Sequence, residues 1–153
     1  MLNAAQNAVD FLTGNRLLNT ALIACLIAQI IKVFLTLLMD HKWDWHRLVE
    51  TGGMPSSHAA LVVSLTTALG RIYGVQTPEF AVAACFSLIV MFDASGVRRQ
   101  AGEHARIINL MIKNWDPAQP ELFEENLREL LGHTPLQVML GALLGLLVGL
   151  ARL

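Results

Sequence analysis

A short polar stretch precedes one of the apolar runs of this chain, and its residue types suit phosphate binding. In GGMPSSHAALVVSL, residues 52–65, Pro55 suits a first helical turn and the apolar run predicts the helix that follows. Ser56, Ser57 and His58 would then lie at the helix N-terminus, where free N–H groups and the positive end of the helix dipole attract phosphate. An ordinary helix cap explains the serines equally well.

Basic side chains elsewhere in the sequence could complete such a site. Arg98 and Arg99 lie in DASGVRRQAGEHA, where two guanidinium groups could bind phosphate oxygens or simply anchor the topology. Lys32 lies inside the first apolar run, and Gln29 lies one helical turn before it. Because a lysine within a membrane is costly and usually faces a polar cavity or a partner, we expect Lys32 to serve the site rather than to snorkel.

A second histidine, His133 in ELLGHTPLQVMLGALLG, lies between Gly132, which can end one helix, and Pro135, which can begin the next. Two histidines, two arginines and a lysine around a helix terminus are the groups needed for phosphoryl transfer without a metal. One imidazole attacks, the other protonates the leaving oxygen, and the cations hold the charge. No carboxylate pair or His-x-x-His has ligand spacing, so we expect no metal and no cofactor.

The composition indicates a membrane protein. Of the 153 residues, 54% are hydrophobic and 15% are charged, whereas soluble domains carry about 25% charged residues. The mean hydropathy is +0.51. The net charge of -1 argues against a nucleic-acid partner. Cys25 and Cys85 are isolated within apolar runs, so we interpret them as small buried hydrophobic residues.

Four apolar segments predict an all-α, polytopic membrane helical bundle that forms a single domain over residues 1–153. They cover residues 17–39, 58–75, 79–96 and 135–151. The first is the clearest span, since at about 1.5 Å per residue it would be roughly 34 Å long. We expect residues 1–16 to lie at the membrane interface and residues 97–134 to form amphipathic surface helices. The alternative is a soluble bundle with buried apolar helices.

The basic residues predict an orientation. Of the 11 lysines and arginines, Lys32 lies within a span, seven lie on the side that carries residues 40–57 and 97–134, and three lie opposite. The positive-inside rule places the seven-charge side, and the candidate site with it, in the cytoplasm.

The last apolar segment carries glycines four residues apart, at Gly141, Gly145 and Gly149. Small residues at this spacing let helices approach closely in lipid. We therefore also expect the chain to form a homo-oligomer.

Three motifs in order, GGMPSSHAA, DASGVRRQAGEHA and LGHTPLQVMLGALLG, resemble those of the divergent branch of the type-2 phosphatidic acid phosphatase family, which is related to acid phosphatases and vanadium haloperoxidases. The resemblance covers roughly residues 29–145. It implies a membrane phosphatase in which His133 becomes phosphohistidine and His58 is the acid. It further implies that the phosphate is bound by Lys32, Ser56, Ser57, Arg98 and Arg99.

The sequence departs from the family pattern at the nucleophile. Gln137 stands where the family has the aspartate that orients this histidine. An amide can hold the imidazole tautomer by a hydrogen bond but cannot stabilise an imidazolium by charge. Asp93 and Glu103 are the candidate substitutes. The family motifs depart elsewhere too, since Ser57 replaces a glycine and Met39 replaces an arginine.

A competing register places the family's arginine-to-histidine spacing between Arg98 and His104, which would make His104 the nucleophile. We prefer His133, because the proline and glycine that follow it lead into an apolar helix, whereas His104 lies in an amphipathic surface segment.

These residues leave three classes of function open. The first is an enzyme that removes phosphate from a lipid phosphate or a prenyl diphosphate. The second is a binder or transporter of polyprenyl phosphate that uses the same cationic pocket without chemistry. The third is a structural membrane protein in which the polar residues have no shared role.

Overall fold

The computed structural model describes residues 13–40, 53–115 and 132–152. We number the helices of these ranges along the chain: α1 is Arg16–Asp40, α2 is Ser57–Ile72, α3 is Pro78–Ser95, α4 is Val97–Trp115 and α5 is Pro135–Ala151. The described ranges contain no strand, so the predicted all-α class is confirmed. Most of the predicted interfacial segment, and residues 116–131 of the predicted surface region, lie outside the described residues.

Local sequence determines where most of the helices begin and end. Helices α2, α3 and α5 each follow a hydroxyl residue whose side-chain oxygen accepts a hydrogen bond from the N–H three residues later, at Ser56, Thr77 and Thr134. Helix α2 ends at Ile72, before the predicted limit of residue 75. The reason is Gly74, whose φ of 93° is the left-handed conformation that stops a helix.

Helix α2 is the centre of the bundle, because it packs against α1, α3 and α5. It runs antiparallel to α1, to which Ser64 Oγ donates a 3.3 Å hydrogen bond at the Thr20 carbonyl oxygen. It also runs antiparallel to α3, from which Ser87 Oγ donates a 3.0 Å hydrogen bond to the Val62 carbonyl oxygen. The N-terminus of α2 therefore lies at the same end of the bundle as the C-termini of α1 and α3.

The glycine face of α5 packs parallel to α2, backbone against backbone. A Cβ atom at Gly145 would overlap the carbonyl oxygen of Ala60, and one at Gly149 would lie 2.7 Å from the Cβ of Thr67. The glycine spacing therefore serves a contact within the chain. Because this face is already occupied by α2, it does not support the expected homo-oligomer, which stays a prediction. Because α2 and α5 are parallel, their N-termini lie at the same end of the bundle.

Large apolar side chains of the bundle point outward, whereas small and polar ones point inward. On α1, Leu26, Ile30 and Phe34 are 60%, 64% and 62% exposed, while Ala24 and Ala28 are fully buried. This is the distribution expected of helices in lipid. Among the described residues, two stretches are long and apolar enough to cross a membrane: Arg16–Leu38 and the continuous run Pro78–Ile112. Helix α5 is a shorter apolar helix. The expectation of four crossings stays a prediction.

Candidate active site

Two backbone hydrogen bonds join three helices at the end of the bundle where α2 and α5 begin. The N–H of His133 donates to the carbonyl oxygen of Ala94, in the last turn of α3, at 3.0 Å. The N–H of Ser56 donates to the carbonyl oxygen of Gln137, in the first turn of α5, also at 3.0 Å. Residues that are distant in the sequence are therefore held together at the two helix N-termini.

His133 is the buried centre of this region. It is 4% exposed, and its Nε2 atom has no hydrogen-bond partner. Burial, and then the positive charges of Lys32, His58 and Arg98, lower the pKa of His133 to about 4. The imidazole is therefore neutral near pH 7, and one of its ring nitrogens keeps a lone pair that can act as a nucleophile or accept a hydrogen bond.

Lys32 reaches the region from α1 and is 2% exposed. The turn at Gly53 covers its alkyl chain, since a Cβ atom on Gly53 would lie 3.2 Å from Lys32 Cγ. Gly53 also has a φ of 79°, which favours glycine, so this residue is required for two reasons that the sequence analysis did not identify. One turn earlier, Gln29 has a buried Oε1 atom without a hydrogen-bond partner.

The junction of α3 and α4 brings Arg98 and Asp93 to the same region. Arg98 Nε lies 2.6 Å from Asp93 Oδ2, and the two side chains are 54% and 38% exposed. The charge of Arg98 acts on both His58 and His133, and that of Asp93 acts on His58. Because a guanidinium group has five N–H donors, this ion pair leaves others for an anion. Asp93 thus orients a cation and does not take the place of the family's aspartate beside His133.

Three of the candidates named from the sequence are not drawn into this group. Arg99 and His104 are exposed on α4, and neither is among the charges that act on His58 or His133. Glu103 pairs with Arg106 at 3.2 Å, so it does not serve as the substitute carboxylate. Of the two histidines that could be the nucleophile, the structure thus places His133 within this group and His104 outside it.

Gln137 and Thr134 form a capping box at the start of α5. Gln137 Oε1 accepts a hydrogen bond from the N–H of Thr134 at 3.0 Å, and the N–H of Gln137 donates to Thr134 Oγ1 at 3.3 Å. The side-chain oxygen of Gln137 therefore holds the backbone beside His133 and not its imidazole. The Thr-x-x-Gln spacing is a recognised cap signature, so this role was visible in the sequence and was missed.

The two serines that precede His58 are buried. Ser56 is 0% exposed and Ser57 is 4% exposed. The Ser56 hydroxyl caps α2 by accepting a 3.4 Å hydrogen bond from the N–H of Ala59. His58 itself is exposed, so it forms the open side of the site. The serines thus shape the N-terminus of α2. Because His58 and Arg98 are exposed, a ligand can reach this helix end from their side.

Known proteins resemble this chain over most of its length. The sequence model described as the divergent PAP2 family matches residues 13–148. The chain belongs to this family. It is 41% identical over 152 residues to "Uncharacterized membrane protein YuiD" of Bacillus subtilis (strain 168), covering 93% of this chain and 96% of that protein. No solved structure matches the chain.

Membership of the divergent PAP2 family confirms the resemblance noted in the sequence, and it covers every group assembled at the site. The relative's name agrees with the apolar exterior in identifying a membrane protein. Within the described ranges, no group of three His, Cys, Asp or Glu side chains could hold a metal ion.

Proposed function

We propose that this member of the divergent PAP2 family is a multi-pass membrane phosphatase that removes phosphate from a lipid phosphate or a prenyl diphosphate. The single observation that carries the proposal is the state of His133: a buried, neutral imidazole with an unpartnered Nε2 atom, beside His58 and close to the positive charges of Lys32 and Arg98. A phosphate bound there would bring its negative charge beside these cationic side chains.

The reaction that fits these groups proceeds in two steps. A His133 nitrogen forms a bond to phosphorus while the bond from phosphorus to the lipid oxygen breaks, and protonated His58 gives its proton to that oxygen. The oxygen of a water molecule then forms a bond to phosphorus while the bond from phosphorus to the His133 nitrogen breaks, and His58 takes a proton from the water. Inorganic phosphate is released and His133 is restored. Lys32, Arg98 and the N–H groups at the start of α2 hold the non-bridging oxygens in both steps.

The proposed substrate follows from where the site lies. His133 and His58 are at the end of a bundle whose outer surface is apolar, so a phosphate attached to a hydrocarbon chain can enter from the bilayer. The side with seven basic residues is the proposed cytoplasmic side, and the site lies on that side.

Phosphate release from the purified protein in detergent tests the proposal. The substrates are phosphatidic acid, phosphatidylglycerophosphate and a prenyl diphosphate, and the variants are His133→Ala and, as the matched control, His104→Ala. We expect release by the wild type and by His104→Ala, and a loss of about 10³-fold or more for His133→Ala. Vanadate should inhibit and a chelator should not. Activity retained by His133→Ala would contradict the proposed nucleophile.

A non-catalytic lipid phosphate binder or transporter is the second candidate, and a specific observation favours it. The side-chain oxygen of Gln137 is engaged in a helix cap and Asp93 is paired with Arg98, so among the described residues neither is placed to stabilise a His133 imidazolium. This candidate predicts that labelled polyprenyl phosphate binds to the wild type and that no substrate releases phosphate. Phosphate release would exclude it.

A further inference from the structure

A cleft runs along the side of the bundle, from the end opposite the candidate active site to about one helical turn from Ala94. Helices α3 and α5 meet where His133 bonds to Ala94, and the cleft opens between them beyond Met91, with α2 as its floor. Its volume is about 520 Å³, which is within the roughly 300–1,000 Å³ of small-molecule sites. Residues that line it include Val63 and Gly70 of α2, and Phe80, Ala84 and Leu88 of α3.

The hydroxyl groups on the cleft wall are already satisfied by the protein. Thr66 Oγ1 and Ser87 Oγ lie 2.8 Å apart, and both approach the Val62 carbonyl oxygen, at 2.9 and 3.0 Å. Thr67 Oγ1 donates to the Val63 carbonyl oxygen at 2.8 Å. Because these groups bond to one another and to α2, the wall is apolar toward a guest, which suits a hydrocarbon chain and not a polar ligand.

Arg71 lies at the outer end of this cleft, and Arg152 lies near it along the chain of α5. Arg71 lines the cleft and donates a hydrogen bond from Nη1 to the carbonyl oxygen of Leu150. Arg152 follows two residues later at the end of α5, and its buried Nε atom has no hydrogen-bond partner. Neither arginine forms an ion pair with a described carboxylate. The outer end of the cleft is therefore positively charged and has donors to spare.

The length of the cleft matches one leaflet of a bilayer. From Phe80 to Met91 along α3, at about 1.5 Å per residue, it extends roughly 16 Å. Half of a hydrocarbon core that is about 30 Å thick is about 15 Å. A phospholipid with its phosphate at Arg71 would therefore have its chain alongside the whole apolar wall.

We propose that this cleft binds an anionic phospholipid of the leaflet opposite the candidate active site. Arg71 and Arg152 bind the phosphate of the headgroup, and one acyl chain lies between α3 and α5 on the floor formed by α2. The positive charge at the outer end favours this ligand over an uncharged hydrocarbon chain. The apolar wall, whose hydroxyl groups are already hydrogen-bonded, favours it over a free anion. The site does not depend on the proposed phosphatase activity.

Native mass spectrometry of the detergent-solubilised protein tests the proposal by comparing dissociation constants for phosphatidylglycerol and phosphatidylcholine. The variant Arg71→Gln/Arg152→Gln removes both charges while keeping a donor at each position, and Arg106→Gln, on α4, is the matched control. We expect the wild type and the control to bind phosphatidylglycerol at least fivefold more tightly than phosphatidylcholine. The double variant should lose about fivefold in phosphatidylglycerol affinity for each arginine removed.

A second variant keeps the test decisive if the double variant does not fold. Ala84→Phe fills the cleft without changing a charge, and we expect it to weaken binding of both lipids. An excess of inorganic phosphate should not displace phosphatidylglycerol from the wild type. The proposal is wrong if the wild type does not distinguish the two lipids, if Ala84→Phe binds both as the wild type does, or if phosphate alone displaces the lipid. It is also wrong if Arg106→Gln, and not the double variant, loses the preference.

Discussion

At the scale of single residues, the candidate site combines a neutral histidine with basic side chains. The positive charges of Lys32 and Arg98 help to keep His133 uncharged. An imidazole in this state is a nucleophile at neutral pH without an oriented carboxylate beside it. When an anion binds, its charge offsets the cations, so phosphate binding and protonation of His133 should favour each other.

The stability of the protein should reflect the low pKa of His133. An unfolded histidine has a pKa of about 6.5, whereas the pKa of His133 in the folded protein is about 4. The contribution of the neutral imidazole to stability is complete above about pH 6.5 and is lost as the pH falls toward about 4, because the unfolded chain takes up the proton first. Thermal unfolding in detergent across this range should show a shallower pH dependence for His133→Gln than for the wild type. Equal slopes would contradict the assigned pKa, and His104→Gln is the control.

Gln137 should act through the backbone that carries His133. Gln137→Leu removes the acceptor for the N–H of Thr134, so we expect a loss of about 0.5–2 kcal/mol of stability and a lower rate of phosphate release. Gln137→Glu keeps an acceptor and should keep the stability of the wild type. The measurement is thermal unfolding together with phosphate release. If both variants were equally stable, the capping role would be refuted.

At the scale of secondary structure, the parallel packing of α2 and α5 brings two helix N-termini to the same site. Each presents the positive end of its dipole, which adds to the charges of the basic side chains. The closeness of the two helices depends on the glycine face of α5, which admits the backbone of α2. The packing of an apolar interface therefore sets the distance between polar groups at its end.

A single methyl group on that face should disturb both stability and function. In Gly145→Ala the new Cβ atom would overlap the Ala60 carbonyl oxygen, so we expect a loss of about 1–3 kcal/mol as α5 moves away from α2. Ala151→Leu enlarges an exposed residue of the same helix and should change the unfolding temperature little. A variant Gly145→Ala as stable as the wild type would show that the two helices are not in this contact.

At the scale of the whole molecule, the two ends of the bundle have different chemistry. One end carries His58, Arg98 and His133, and the other carries Arg71 and Arg152, with apolar side chains on the surface between them. This difference between the two ends predicts that the bundle crosses the bilayer with the candidate active site on the cytoplasmic side.

Single cysteines at the two ends test that orientation. After replacement of Cys25 and Cys85 by alanine, His104→Cys places a thiol on α4 and Gln76→Cys places one in the exposed turn between α2 and α3. A maleimide that does not cross membranes should label Gln76→Cys in intact cells, and His104→Cys only after the cells are permeabilised. If both variants were labelled in intact cells, the two ends of the bundle would not lie on opposite sides of the membrane. If only His104→Cys were labelled in intact cells, the candidate active site would lie outside the cytoplasm.

The sequence by itself determined the helices of this protein, because the signals for them are local. The fourth predicted apolar segment, residues 135–151, coincides with α5, where threonine and proline mark the start. The first, residues 17–39, differs from α1 by one residue at each end. The early end of α2 depended on the backbone conformation of Gly74, which hydropathy does not encode.

The tertiary structure decided which polar residues face one another. Arg98 and Arg99 are residues of the same type, and the sequence does not distinguish them. Consecutive residues of a helix point about 100° apart, and of these two arginines only Arg98 acts on His58 and His133. The sequence favoured His133 over His104 by the apolar helix that follows it, and the packing then places His133 among the charges of Lys32, His58 and Arg98. Hydropathy and caps act within a few residues, whereas this site is assembled by backbone hydrogen bonds and glycine contacts between residues far apart in the chain, and those depend on how whole helices pack.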